Sequence, residues 1–293
     1  MSSSSLNQAY GGHSMVAPLR RVLVRRPDAA FAAADPELWH YAGRPDLPAA
    51  QAEHDTLVAT LRMAGAEIIY HDAPQPEHAD AIFVFDPALI TDAGAIMLSM
   101  GKNLRRGEEA AMAARFAQLG IPILATLHGD ARAEGGDMFW LDERTLAIGL
   151  GFRTNAAGAR QIAAALHPLG ARVLPVELPY YAGPAACLHL LSLISVVDRD
   201  LAVVYPPLMS VPFWQELQRR GFRLVECPEA EFTTMGTNVL ALAPGECLML
   251  EGNPIICERL HAAGCEVQTY RGYEISLKAE GGPTCLTRPL LRE

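Results

Sequence analysis

The chain has 293 residues, half of them hydrophobic, which is ample for a large buried core. Its formal net charge of −9 excludes a nucleic-acid partner held by clustered Lys and Arg. No apolar run approaches the roughly 18 residues needed to span a bilayer, so no membrane partner is expected.

Residues 1–12 are polar and serine-rich, without the basic flank and apolar stretch of a secretory signal. They read as part of a flexible tail over residues 1–16, ahead of one domain over residues 17–293. A strand is predicted at 21–25, a helix at about 48–63 stopped by Gly65, and a strand at 66–70. An apolar strand follows at 81–85, a turn near 91–94 and a return at 95–98. A helix over about 105–118 closes at Gly120, and a strand runs over 121–125.

The next segment pairs 138–141 with 145–149, adds a helix over about 155–169 ending at Gly170, and a strand at 171–176. Then 188–193 pairs with 200–204, before a helix near 211–220, Gly221 and a strand at 222–225. Last, 238–241 pairs with 247–250, before a helix near 254–263, Gly264 and a strand at 266–269. The post-helix strands recur with a period of about 50 residues, the signature of a repeat architecture. A fifth unit is assembled from both ends, strand 21–25 pairing with the segment around Cys285. Five ββαβ units closed by the two termini make an α/β ring with pseudo-fivefold symmetry and no free sheet edge. An ordinary α/β sheet is the plainer alternative, and the recurring hairpins and glycine stops favour the ring.

An axial cavity would gather residues from matching places in each unit. Cys285 follows a Gly-Gly-Pro bend and starts a short apolar run, a setting that can present a thiolate to a cavity. His189 stands in an apolar segment, where a hydrogen-bonded core histidine is the common outcome. Glu134-Gly135-Gly136-Asp137 reads either as a solvated turn or as a close backbone approach. Asp86 interrupts an apolar run and needs a partner, because burying an unpaired charge costs several kcal/mol. A thiol, an imidazole and a carboxylate from different units can serve as nucleophile, base and orienter.

From about Leu19 to Pro289 the chain resembles the guanidine-modifying superfamily of the pentein, or five-bladed α/β-propeller, fold. It is most similar to the dimethylarginine dimethylaminohydrolases, with arginine deiminases and amidinotransferases as relatives. The resemblance rests on residues 83–86, Arg105-Arg106-Gly107-Glu108, Glu134 to Asp137, residues 149–155, Leu188-His189-Leu190 and the Cys285 segment. It implies a catalytic domain over residues 17–293 that acts on an amino-acid-like small molecule. Cys285 would be the nucleophile, His189 the general acid/base and Glu134 the carboxylate orienting it. Asp86 would hold the guanidinium, Arg105 and Arg153 the α-carboxylate, and Asp80 the α-amino group. Residues 27–48, with Trp39, His40 and Tyr41, fall where relatives carry a mobile lid; a plain surface loop is the alternative. The resemblance also brings a homodimer as an expected assembly.

Two positions depart from the relatives' pattern. Phe85 stands where dimethylarginine hydrolases commonly have a second carboxylate, and Leu191 where arginine deiminases and amidinotransferases have an aspartate. A less polar pocket suits an N-alkylated guanidine or a neutral ureido group. The leading expectation is hydrolysis of a dimethylarginine-type compound to citrulline and an amine through a Cys285 thiouronium. Amidinotransfer, arginine deimination, ureido hydrolysis and a non-catalytic binding role remain as alternatives. No cofactor and no metal is implied, since His189 and Cys285 alone make a poor zinc site. Six cysteines without a C-x-x-C pair suit a reducing cytoplasm.

Overall fold

The computed structural model describes residues 9–293. Its fifteen strands form five separate three-stranded sheets. In each sheet the central strand pairs antiparallel with one neighbour, its hairpin partner in four of the five, and parallel with the strand that follows the helix. This is the five-bladed α/β propeller, and the period of about 50 residues corresponds to one blade.

The second unit shows why the sequence makes such a blade. Met138–Asp142 and Thr145–Leu150 form the hairpin, and Arg172–Glu177 adds in parallel. Asn155 caps the helix Ala156–Leu166 by accepting from the Gly158 amide. Ala159, Ile162 and Leu166 recur at helical spacing and pack on Leu146 and Ile148 of the sheet. Gly170, at φ 72°, ends the helical run in the left-handed conformation that glycine adopts without strain.

The fifth blade joins the termini. Leu19–Val24 pairs with Arg288–Arg292 on one side and with Glu67–Tyr70 on the other. Cys285 therefore lies in the turn ahead of the last strand and not in the strand that pairs with the N-terminus. The expected flexible tail also needs correction. Residues 1–8 lie outside the described residues, but Gly11 bridges to Leu291 of the last strand and Val16 is buried in the core, so the chain is already held by the fold from about Gly11.

Two further expectations differ in the same way. The predicted strand at 81–85 is a 3-10 turn, Ala79–Ile82, and the hairpin begins only at Ala88–Thr91. The predicted strand at 188–193 is a 3-10 turn, Leu190–Ser192, followed by the strand Ile194–Asp198. Both runs are apolar because they are buried at the centre of the ring, and burial alone does not select a strand. Among the described residues, no helix is long and apolar enough to cross a membrane.

Candidate active site

The residues of interest share one structural place. Asp86, Glu134, His189 and Cys285 each sit shortly before the strand that pairs antiparallel with the central strand of a blade, in four different blades. Pseudo-fivefold symmetry brings these loops together, and backbone bonds join them. Phe85 N donates to Cys285 O at 3.3 Å, and Gly135 N donates to Asp86 O at 2.9 Å. The loops line a cavity of about 600 Å³ that contains all seven expected site residues except Glu134 in its wall. Glu134 lies directly behind, fully buried.

Glu134 Oε2 accepts from His189 Nε2 at 2.7 Å. Glu134 also accepts from Arg153 Nη1 at 3.2 Å and from the Lys102 amide at 2.9 Å. Burial would raise this carboxyl, but the hydrogen bond from His189 and the charges of His189 and Arg153 hold it well below the usual range. Burial likewise opposes a charge on His189. The Cys187 sulfur, Asp137 and Glu134 outweigh it, and the imidazole pKa stands well above its ordinary value. The paired state is therefore a carboxylate and an imidazolium.

The Gly-Gly pair of the 134–137 motif makes room for this contact. A Cβ on Gly136 would come within 2.4 Å of His189 Nδ1, so the ring lies flat against the backbone there. Asp137 secures the other side by accepting from the Leu190 amide at 3.0 Å. Burial pushes the Asp137 carboxyl up to about 6.

Asp86 accepts from the Gly136 amide at 2.8 Å and from Arg105 Nη1 at 2.5 Å. Arg105 is buried and also donates to Glu108 and to Phe83 O. Most of its donors are thus spent within the protein, which makes it an anchor for Asp86. Asp80 accepts from Tyr41 Oη at 2.7 Å and from Lys102 Nζ at 2.6 Å. Arg153 lines the cavity and keeps donors beyond its contact with Glu134. The segment 27–48 folds into two helical turns, Ala29–Ala32 and Pro36–Trp39, capped by Asp28 and Asp35. It brings Trp39 and His40 to the cavity wall.

Cys285 lines the cavity, and its sulfur accepts from Asn238 Nδ2 at 3.4 Å. Burial and the Asp86 charge push its thiol up to about 11, against the pull of His189 and Asn238. Sequence reasoning missed three neighbours. Asn238 occupies, in the fourth blade, the same place before the hairpin as the other four, so the repeat itself could have flagged it. Cys187 places its sulfur 3.7 Å from His189 Nδ1. Lys102, over the Trp39 ring at 4.9 Å, carries no sequence signal beyond being a lysine in a glycine-containing loop. Phe85 and Leu191, where relatives place carboxylates, both line the cavity.

Five ββαβ blades around a cavity that collects cysteine, imidazole and carboxylate side chains define a pentein-fold protein. The family model described as arginine deiminase matches residues 75–215 and 209–292. The chain belongs to that family, as a dimethylarginine dimethylaminohydrolase-like member of the pentein superfamily. It is 30% identical over 271 residues to the N(G),N(G)-dimethylarginine dimethylaminohydrolase of Streptomyces coelicolor, covering 92% of this chain and 96% of the relative. It is 28% identical to the arginine deiminase of Listeria welshimeri over 72% of this chain, but spans only 61% of that longer protein. The fold matches the Pseudomonas aeruginosa dimethylarginine dimethylaminohydrolase, solved as a cysteine-to-serine mutant with citrulline. The TM-score is 0.77 at 24% identity, over 92% of this chain and 99% of that one.

Proposed function

We propose that this chain is a hydrolase that cleaves a C–N bond in an arginine-like guanidino compound, with N-methylated arginine as the leading substrate. The observation that carries this reading is the shared cavity. In it Cys285 lies with an imidazolium already paired to Glu134 and with a separate carboxylate, Asp86.

A guanidinium carbon is a weak electrophile, so attack needs a thiolate. With the thiol raised to about 11, the protein alone keeps Cys285 protonated at neutral pH. A guanidinium docked on Asp86 changes this balance. It offsets the carboxylate that raises the thiol and adds a positive charge beside the sulfur, so the thiol releases its proton to solvent. The thiolate then adds to the guanidinium carbon. Protonated His189 gives its proton to the departing amine as the C–N bond breaks, leaving a thiouronium on Cys285. Neutral His189 next takes a proton from water, and the hydroxide adds to the same carbon. Collapse expels the Cys285 thiolate and a proton and leaves a ureido product, citrulline where the substrate is a methylated arginine.

Arg153 is the proposed seat of the substrate α-carboxylate, because it faces the cavity with donors to spare. Arg105 contributes mainly through Asp86. Asp80 is the proposed contact for the α-amino group, shared with Lys102. Phe85 and Leu191 give the cavity an apolar wall that suits N-methyl groups better than bare N–H donors. All six cysteines are free thiols, which fits a reducing cytoplasm.

The test is a panel of arginine, mono- and dimethylarginine and citrulline, with mass spectrometry of the intact protein and Cys285→Ser as control. Citrulline plus a methylated amine, a transient adduct on Cys285 and no product from the mutant are expected. Preferred release of ammonia from unmodified arginine would replace this reading by arginine deimination. Absence of both turnover and adduct with every compound would replace it by a binding role.

A further inference from the structure

A second, smaller cavity lies on the other side of Phe85. It encloses about 40 Å³ and is lined by Arg288, Arg292, Ser14, Phe85, Met138 and Trp140, among others. Phe85 and Thr284 belong to the walls of both cavities. The volume is enough for one small ion with a water or two.

The two guanidinium groups in this cavity are in an unusual state. Arg288 is 4% exposed and Arg292 5%. Arg292 donates to two backbone carbonyls, Ala17 O at 2.7 Å and Ala241 O at 2.8 Å. Arg288 has Nε and Nη2 fully enclosed without any acceptor. It lies instead over the face of Phe85, with the guanidinium carbon 3.6 Å from the ring centroid. Among the described residues no carboxylate pairs with either arginine. Asp86, whose charge acts on Arg288, has its oxygens on Arg105 and the Gly136 amide. Residues 1–8 contain no acidic side chain that could serve instead.

Arginine stays charged in proteins, so two cations are held here without a counter-charge. A buried charge is tolerated when paired, and the enclosed donors of Arg288 have no acceptor among the described residues. Ser14 adds a suitable donor. Its Oγ already accepts from the Val16 and Ala17 amides, at 3.1 and 2.9 Å, which leaves its hydroxyl hydrogen free to donate. Burial lowers both arginines to about 9, the direction expected of cations that lack a partner.

We propose that this cavity binds a small monovalent inorganic anion of halide size between Arg288 and Arg292. The site is separate from the catalytic cavity and does not depend on the reaction assigned to it. Phe85 is what creates it, since its ring stacks on Arg288 where a carboxylate could have paired with that arginine.

The probe is bromide for location and chloride for energetics. Crystals of the full-length protein soaked in bromide are expected to show an anomalous peak within hydrogen-bonding reach of both guanidinium groups. At fixed ionic strength and pH, exchanging gluconate for chloride is expected to raise Tm saturably, as a ligand of the folded state must. Arg288→Met, which keeps an apolar contact with Phe85, is expected to lose that chloride-specific rise. No anomalous peak at saturating bromide, equal Tm in chloride and gluconate, or a chloride response retained by Arg288→Met would each overturn the proposal. Should Arg288→Met fail to fold, the bromide map of the unmutated protein decides alone.

Discussion

Asn238 Nδ2 donates to the Cys285 sulfur at 3.4 Å while Asn238 Oδ1 accepts the Thr284 amide at 3.1 Å. One side-chain amide thus fixes both the proposed nucleophile and the backbone that carries it. Gly282 permits this, because a Cβ there would stand 2.4 Å from the Asn238 side-chain carbon. Removing the amide should misplace the sulfur and leave a buried amide unpaired, a cost of about 1–3 kcal/mol. Asn238→Ala is therefore expected to lose about tenfold to a hundredfold in kcat while remaining folded by circular dichroism. Asn238→Asp, which sets a carboxylate against the sulfur, is expected to lose more. An Asn238→Ala enzyme with full kcat would show that the contact is incidental.

Glu134 and His189 set the pH behaviour of the site. Glu134 is depressed in the fold, so its contribution to stability is fully present above about pH 4.5 and is lost as pH falls below that. His189 is raised, so its contribution is present below about pH 6.5 and is lost as pH climbs through its higher folded value. Both contributions are complete only between those two limits. Glu134→Gln keeps the shape but removes the charge. The stability gap between it and the unmutated protein should be widest near pH 5–6 and narrow on either side. The mutant should also lower the His189 pKa in an NMR titration and lose at least a hundredfold in kcat. A gap independent of pH would sink this account.

Much of this site was legible because its chemistry sits in short local patterns. Glu134-Gly-Gly-Asp137 and the Gly-Gly-Pro bend before Cys285 mark places where backbone or ring must approach closely, at Gly136 and Gly282. The helix stops, such as Gly170 and Gly264 at φ 72° and 98°, set the blade period. What escaped depends on contacts between residues far apart in the chain. Lys102 reaches Asp80 across 22 positions within one blade and Asn238 reaches Cys285 across 47 between two blades, and only the place of Asn238 in the repeat marks either pair in the sequence. The two apolar runs read as strands are buried turns, since residues enclosed on every side lose the alternation that identifies a strand. Arg105 shows the same limit. Its motif suggested a ligand for substrate, whereas Asp86 and Glu108 claim most of its donors.

The Cys285 thiol offers a direct measure of the electrostatics. With its pKa pushed up to about 11 by burial and Asp86, alkylation by iodoacetamide should be slow at pH 7.5 and keep rising past pH 9. Asp86→Asn removes the second-largest cause of that elevation, so its alkylation curve should shift to lower pH. It should also lose the carboxylate proposed to dock a guanidinium, giving a large rise in KM. An inflection near pH 8 in the unmutated protein would contradict the assigned balance of forces.

Phe85 lines both cavities, and under the proposed function it favours methylated over unmethylated substrates. In the catalytic cavity it presents an apolar face beside Asp86, which leaves a guanidinium fewer acceptors for its N–H groups. Phe85→Glu would supply a second carboxylate. Unmethylated arginine, with more N–H donors to satisfy, should gain relative to dimethylarginine, by about tenfold in the ratio of kcat/KM values for one charge-assisted hydrogen bond. The same side chain could pair with Arg288 across the wall, so the chloride response of Tm should weaken in parallel. The two readouts separate the effects. A change in substrate ratio without a change in halide response places the new carboxylate in the catalytic cavity alone, and the reverse places it on Arg288. If neither moves, Phe85 does not discriminate between these substrates.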